Sequence, residues 1–193
     1  MNFLLLTHGA GSNRNAPLLV AVRNAFSAAG VETMTYNLPF REERPHGPPR
    51  PGDAERDRQG LRQQILKARE KKFEQVWMGG HSYGGRQASI LAAEAPGLVD
   101  RLLLLSYPLH PPRKPDQLRT AHFPKLQTPC MFVHGSRDPF GSTDEMNQAI
   151  ALIPGGVRVL EVEGAGHDLG REHTALAERI VTAFLDRNAT ARS

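Results

Sequence analysis

Short, continuous apolar runs alternate along the chain with longer segments in which apolar residues recur at helical spacing. Residues 3–6, 76–78 and 102–105 are apolar at every position, which is typical of parallel strands buried on both faces. Residues 17–29 and 54–72 instead carry apolar side chains three or four positions apart. This alternation predicts an α/β fold, a three-layer α/β/α sandwich around a mostly parallel sheet of about six strands.

Weaker patterns complete the predicted order of elements. The remaining strands are predicted at residues 31–36, 130–133 and 157–162, and the remaining helices at residues 86–94, 142–153 and 174–185. No internal repeat or linker divides the chain, so we predict a single domain over residues 1–193.

The composition is typical of a globular protein and does not indicate a polyanionic partner. Of the 193 residues 39% are hydrophobic and 23% are charged, and the net charge is +4. Basic and acidic residues are interspersed, so nucleic acid is not an expected partner. No apolar run is long enough to cross a membrane. The single cysteine, Cys130, excludes an internal disulfide, and this favours the cytoplasm.

A glycine-rich turn that carries one serine separates a predicted strand from a predicted helix. Gly80, Ser82 and Gly84 fill the pattern G-x-S-x-G, which in this context predicts a nucleophile elbow. Glycine is needed on both sides because a larger side chain would collide with neighbouring backbone, and the tight turn strains the serine. The alternative is a turn that binds phosphate or only permits close packing.

The segment His-Gly-Ala-Gly at residues 8–11 follows the first predicted strand. Glycines at this place would let backbone N–H groups approach a developing oxyanion. An ordinary strand-to-helix turn or a phosphate-binding nest is the alternative. The predicted oxyanion donors are the backbone N–H groups of Tyr83 and of Ala10 or a neighbour in its loop.

Two later loops supply the partners that a nucleophilic serine needs. Asp138 follows the strand at residues 130–133, and His167 lies in a glycine-rich loop after the last strand. In this hypothesis His167 takes the proton of Ser82, and Asp138 orients and stabilises the imidazolium. Asp138 could instead cap a helix or form an Asx-turn. His167 could be a surface residue, and His173 is a rival in the closing helix.

Two long segments rich in proline and basic residues, 37–53 and 107–124, interrupt the regular pattern. The prolines predict irregular structure. Each segment is either a wall of the substrate site or a plain surface connection. Three arginines, Arg14, Arg41 and Arg86, are candidates for binding an anionic substrate at the mouth of the pocket.

On residues 8–11, 80–85, 134–138 and 166–168 the chain resembles the α/β-hydrolase superfamily, over essentially its whole length. It is most similar to the compact, lidless branch of small proteins like the dienelactone hydrolases. The resemblance implies a minimal α/β-hydrolase fold and acyl-serine chemistry on an ester, thioester, lactone or amide. Dienelactone hydrolases proper use cysteine as the nucleophile, so Ser82 is a departure that does not carry lactone hydrolysis over.

We therefore expect a serine hydrolase that cleaves a small-molecule carboxylic ester or thioester through an acyl-enzyme. The mechanism needs no cofactor, and the histidines and the cysteine show no metal-ligand spacing. A peptidase or an acyltransferase would use the same three residues. A non-catalytic binding or scaffold protein would keep the fold and use its basic loops to hold a protein or nucleic acid. The sequence does not predict the oligomeric state.

Overall fold

The computed structural model describes residues 1–186, so residues 187–193 of the predicted domain lie outside the described part. The strands in this part are β1 (Phe3–Thr7), β2 (Glu32–Tyr36), β3 (Val76–His81), β4 (Arg101–Leu105), β5 (Cys130–Gly135) and β6 (Val157–Val162). The helices are α1 (Pro17–Ala28), α2 (Pro39–Glu43), α3 (Asp53–Glu70), α4 (Tyr83–Glu94), α5 (Thr143–Ile150) and α6 (His173–Leu185), with a 3₁₀ turn at Phe123–Lys125.

The strands form one sheet in the order β2-β1-β3-β4-β5-β6. Each neighbouring pair is parallel, which confirms the predicted α/β fold. Because the carboxyl ends of parallel strands share one edge, the loops that follow β1, β3, β5 and β6 gather there. Thr7 at the end of β1 lies opposite Gly80 in β3, so the first of these loops starts beside the serine turn.

Apolar side chains fill the space on both faces of the sheet, and β1 shows how. Leu4 and Leu6 belong to the cluster that α1 and α6 complete, whereas Phe3 and Leu5 belong to the cluster that α3, α4 and α5 complete. Successive side chains of a strand point to opposite faces. A strand covered by helices on both sides must therefore be apolar at every position, as the runs in the sequence are.

The segment 37–53 is more ordered than its prolines predict. It contains the short helix α2, so the expectation of irregular structure throughout was wrong. Pro39 occupies the first turn of this helix, where its missing N–H costs nothing, and Phe40 is fully buried. In the segment 107–124, residues 112–118 are exposed, whereas Tyr107 and Phe123 are buried in the core.

The contact between α4 and β3 generates a stability prediction. A Cβ at Gly85 would lie 2.6 Å from the carbonyl oxygen of Gly80, a distance that only backbone movement can relieve. We expect Gly85→Ala to lower the free energy of unfolding by about 1–3 kcal/mol, although alanine is the better helix former by about 1 kcal/mol. Urea denaturation followed by circular dichroism measures the change.

Gly11→Ala is the matched control, because a Cβ at Gly11 has no neighbour within 4 Å. Equal stabilities of Gly85→Ala and Gly11→Ala would contradict the close approach of α4 to β3.

Candidate active site

Ser82 occupies the turn between β3 and α4 in a conformation that few residues adopt. Its φ is 51° and its ψ is −117°, a strained combination for a residue with a Cβ. The N–H of Ser82 donates to the carbonyl oxygen of Leu105 at 2.8 Å, and the N–H of Arg86 donates to the carbonyl oxygen of Ser82 at 3.0 Å. The end of β4 and the first turn of α4 therefore hold the strained serine from both sides.

The glycines around Ser82 are required by contact with β1. A Cβ at Gly80 would lie 2.6 Å from the carbonyl oxygen of Thr7, and one at Gly84 would lie 2.5 Å from that of His8. Real Cβ atoms essentially never come so close to backbone. Glycine at both positions thus allows the serine turn to pack closely against the end of β1 and the loop that follows it.

Three of the predicted side chains form one hydrogen-bonded chain. Ser82 Oγ lies 2.8 Å from Nε2 of His167. Nδ1 of His167 lies 2.8 Å from Oδ2 and 3.0 Å from Oδ1 of Asp138. A carboxylate only accepts, so Nδ1 carries the hydrogen and Nε2 is left to accept the hydroxyl hydrogen of Ser82. This tautomer is the one in which a histidine can act as a base toward serine.

Asp138 serves two purposes at once. Its side chain is fully buried, and its Oδ1 also accepts the N–H of Phe140 at 2.8 Å, which forms an Asx-turn. The two interpretations of this residue, an Asx-turn and a partner of histidine, are therefore compatible. The turn fixes the orientation of the carboxylate that faces His167.

Two residues that no sequence motif indicates, Phe140 and His81, contact His167. The ring of Phe140 lies 4.2 Å from the His167 ring between centroids, at 31°. His81 Nε2 lies 2.9 Å from the carbonyl oxygen of His167 and donates to it. Burial lowers the pKa of His81, which favours its neutral form. The only available signal was position, because His81 directly precedes Ser82 and Phe140 follows Asp138 by two residues.

Backbone N–H groups form hydrogen bonds between the loops that carry Asp138 and His167. The N–H of Arg137 donates to the carbonyl oxygen of Ala165 at 2.9 Å, and the N–H of Gly164 donates to Ser136 Oγ at 2.8 Å. A Cβ at Gly135 would lie 2.4 Å from the carbonyl oxygen of Ala165. Glycine at the end of β5 thus lets the two loops meet.

The predicted oxyanion donors lie on the two sides of Ser82. Tyr83 is the first residue of α4, and the first N–H groups of a helix have no acceptor within the helix. Ala10 belongs to the loop after β1, where a Cβ at Gly9 would lie 3.5 Å from the Cβ of Ser82. The structure brings both segments to the serine, and their use as donors stays a prediction.

His8 fixes the loop after β1 as a buried, neutral residue. It is fully buried, and burial lowers its pKa to about 4. Nδ1–H donates to the carbonyl oxygen of Gly9 at 2.9 Å, and Nε2 accepts the N–H of Leu38 at 3.1 Å. The ring therefore ties this loop to the segment 37–53.

Arg41 is placed differently from the expectation that it binds a substrate anion. It is 6% exposed, and its guanidinium donates to four backbone carbonyl oxygens. The accepting residues are Ser12 at 2.8 Å, Ala10 at 2.6 Å, Gly47 at 3.0 Å and Arg44 at 3.1 Å. Since most of its donors are committed inside the protein, we correct that expectation: Arg41 holds the loop after β1 against the segment 37–53.

The two other predicted arginines differ from Arg41 and from each other. Arg14 is exposed, and only its backbone N–H is fixed, by Asn37 Oδ1 at 2.7 Å. Arg86 lies one helical turn after Ser82 and is partly buried, and its Nε has no hydrogen-bond partner. Of the three, Arg86 is the one whose backbone N–H donates to the carbonyl oxygen of Ser82.

Other groups with chemical potential lie away from this arrangement. Cys130 is buried, and burial raises the pKa of its thiol, so it stays protonated. Among residues 1–186 no three or more His, Cys, Asp or Glu side chains are arranged to hold a metal ion. Within the same range no helix has the length and apolarity needed to span a bilayer.

A parallel sheet that carries a serine in a strained strand-to-helix turn defines the α/β-hydrolase class. A sequence model of the family described as alpha/beta hydrolase domain matches residues 1–187. The chain therefore belongs to this family, which confirms the resemblance seen in its sequence.

Solved structures with a similar fold come from several bacteria. Dienelactone hydrolase from Anabaena variabilis is 22% identical with a TM-score of 0.74, over 100% of this chain and 88% of that chain. Est1E from Butyrivibrio proteoclasticus with ferulic acid bound is 15% identical with a TM-score of 0.75, over 98% and 90%. A serine hydrolase without a lid from Xanthomonas campestris is 12% identical with a TM-score of 0.70, over 98% and 84%.

The neutral state of His8 predicts a dependence of stability on pH. The unfolded chain protonates this histidine near pH 6.5 and the folded chain only near pH 4. The stabilisation is therefore complete above pH 6.5 and is lost as the pH falls from 6.5 to 4. It amounts to at most about 3 kcal/mol.

Urea denaturation at pH 7 and pH 4.5 measures this dependence. In His8→Asn the loss between the two pH values should be smaller than in the wild type, whereas the exposed His46→Asn should leave it unchanged. An equal loss in His8→Asn and the wild type would exclude this role of His8.

The contacts of Arg41 predict a structural effect of its removal. Arg41→Gln leaves buried carbonyl groups without donors, so we expect the free energy of unfolding to fall by about 2–4 kcal/mol. Amide hydrogen exchange should accelerate in residues 9–12, which Arg41 holds. Arg14→Gln on the same loop is the control and should change neither. Wild-type stability and exchange in Arg41→Gln would show that Arg41 does not hold the loop after β1.

Proposed function

We propose that this chain is a serine hydrolase that cleaves a small carboxylic ester or thioester through an acyl-enzyme intermediate. The observation that carries the proposal is the hydrogen-bonded chain from Ser82 Oγ through His167 to the buried carboxylate of Asp138. This is the arrangement that activates a serine in acyl transfer. Membership of the alpha/beta hydrolase domain family supports a hydrolytic role.

In the proposed first step Ser82 Oγ attacks the carbonyl carbon of the substrate while its proton moves to Nε2 of His167. Asp138 remains ionised and stabilises the imidazolium that forms. The carbonyl oxygen becomes an oxyanion that would accept hydrogen bonds from the N–H groups of Tyr83 and Ala10. The imidazolium then gives its proton to the leaving alcohol or thiol, and the acyl group remains on Ser82.

In the second step a water molecule replaces the leaving group. His167 takes a proton from this water, whose oxygen attacks the acyl carbon, and returns the proton to Ser82 Oγ as the carboxylic acid leaves. Each proton accepted by His167 is therefore given back within its own step. The proposed catalytic residues are Ser82, His167 and Asp138.

The similar structures support a small molecule as the substrate. They include a dienelactone hydrolase, a protein with ferulic acid bound and a serine hydrolase without a lid. A peptidase or an acyltransferase is the alternative on the same residues, and a scaffold protein is the alternative without catalysis. We retain the cytoplasm as the proposed location because Cys130 has no partner for a disulfide.

Labelling with a fluorophosphonate probe tests the proposal. The wild type should be labelled at Ser82, and Ser82→Ala should not be labelled. We expect His167→Ala and Asp138→Asn to react at least about a hundredfold more slowly. The first variant has no base, and the second lacks the carboxylate that holds the His167 ring in the tautomer needed for proton transfer. Ser27→Ala, which changes an exposed serine of α1, should be labelled like the wild type.

The same variants separate the alternatives. Hydrolysis of short esters and thioesters that disappears in Ser82→Ala supports the hydrolase, whereas peptide cleavage or transfer to an added alcohol indicates the other enzymes. A folded wild type that is neither labelled nor active would overturn the proposal. Partner binding that weakens steeply with salt and survives in Ser82→Ala would then indicate a scaffold.

A further inference from the structure

One face of α4, the helix that follows the candidate nucleophile, carries polar side chains. Arg86 and Ser89 are three residues apart in this helix, so they lie on the same face. The backbone N–H of Arg86 donates to the carbonyl oxygen of Ser82 at 3.0 Å, so Arg86 starts one helical turn from the candidate nucleophile. The Nε of Arg86 is buried and has no hydrogen-bond partner, whereas every guanidinium nitrogen of Arg41 has one.

The segment 107–124 brings further polar groups to the same face. Tyr107 lies two residues after Leu105, whose carbonyl oxygen holds the N–H of Ser82. The Tyr107 hydroxyl donates to the carbonyl oxygen of Arg119 at 2.7 Å and interacts with Arg86 and Ser89. This fully buried tyrosine therefore fixes the position of Arg119 relative to α4.

Arg86 and Arg119 place two positive charges together without a negative one. Burial, and after it the charge of Arg86, lowers the pKa of Arg119, so the two guanidinium groups are within electrostatic range. None of the ion pairs formed between residues 1 and 186 includes Arg86 or Arg119. Like charges in a partly buried place repel each other, and a bound anion would offset that repulsion.

The neighbouring histidine does not add a third charge. His122 Nε2 lies 2.8 Å from Ser89 Oγ. Burial and the charge of Arg86 lower its pKa to about 4, so it is neutral at pH 7. The cluster therefore combines the charged guanidinium groups of Arg86 and Arg119 with the neutral, hydrogen-bonded pair of His122 and Ser89.

We propose that Arg86 and Arg119 form a subsite for a carboxylate group of the substrate, beside Ser82. The inference rests on the proposed function and names its substrate class: esters or thioesters that carry a free carboxylate a few bonds from the reacting carbonyl, such as half-esters of short dicarboxylic acids. A guanidinium binds a carboxylate through two parallel N–H groups. Turning the Arg86 guanidinium would bring its unused Nε–H into such a pair.

A pair of esters with the same number of acyl carbon atoms tests the subsite. The nitrophenyl half-ester of glutaric acid carries the carboxylate, and nitrophenyl pentanoate lacks it. We expect the wild type to prefer the anionic ester by about ten- to hundredfold in kcat/KM, the range for hydrogen bonds to charged groups. In Arg86→Gln and in Arg119→Gln this ratio should fall at least about threefold, and further in the double variant.

Arg179→Gln is the matched control, because it removes the same charge from an exposed position of α6, on the other face of the sheet. Its ratio should equal that of the wild type. A wild type that hydrolyses both esters equally well would overturn the subsite and leave the serine hydrolase intact. A ratio that falls as much in Arg179→Gln would also overturn it, because net charge would then explain the preference.

A binding measurement keeps the subsite separate from the activity. Glutarate should raise the melting temperature of the wild type and of Ser82→Ala, and the uncharged glutaramide should not. The rise should be lost in the double variant Arg86→Gln/Arg119→Gln. If glutarate raises the melting temperature of none of these proteins, the subsite is overturned. If it raises that of a wild type that has no hydrolase activity, the subsite is supported and the proposed function fails.

Discussion

The close approach of three backbone segments at Gly80 and Gly84 is the constraint on which the site depends. A Cβ added at either glycine would lie 2.5–2.6 Å from the carbonyl oxygen of Thr7 or His8, where β1 ends and its loop begins. This contact brings the loop after β1 against the turn of Ser82. In the same turn Ser82 has a φ of 51°, a strained value for a residue with a Cβ. Close packing and backbone strain therefore occur together at the candidate nucleophile.

The polar groups around this turn show two ways of burying charge and hydrogen-bonding capacity. His8 is buried as a neutral ring with both nitrogens engaged. Arg41 keeps its charge, and four carbonyl oxygens compensate the loss of water around it. Both fasten the loop that contains Ala10 to the segment 37–53. The loop after β1 is therefore held in place by two buried residues of the protein itself.

Much of the fold and the central part of the site follow from local sequence patterns. Continuous apolar runs indicate strands covered on both faces, and the glycines around Ser82 indicate the tight turn. The roles of Arg41, His81 and Phe140 depend on contacts between residues distant in sequence, so no local pattern reveals them. The sequence did not predict helix α2 because proline usually indicates the absence of a helix. Pro39 is nevertheless compatible with α2, since it occupies the first turn, where proline is tolerated.

The contrast between Arg41 and Arg86 explains why the arginines could not be sorted from the sequence. Both are partly or largely withdrawn from water, yet backbone carbonyl oxygens accept from all three guanidinium nitrogens of Arg41, whereas Nε of Arg86 has no partner and a second guanidinium lies within electrostatic range. The charge of Arg41 is thus compensated by backbone, whereas among residues 1–186 neither Arg86 nor Arg119 forms an ion pair. A substrate with its carbonyl oxygen toward the loop of Ala10 would place an anionic group where the protein lacks a counter-charge. The same asymmetry would orient such a substrate before Ser82 reacts.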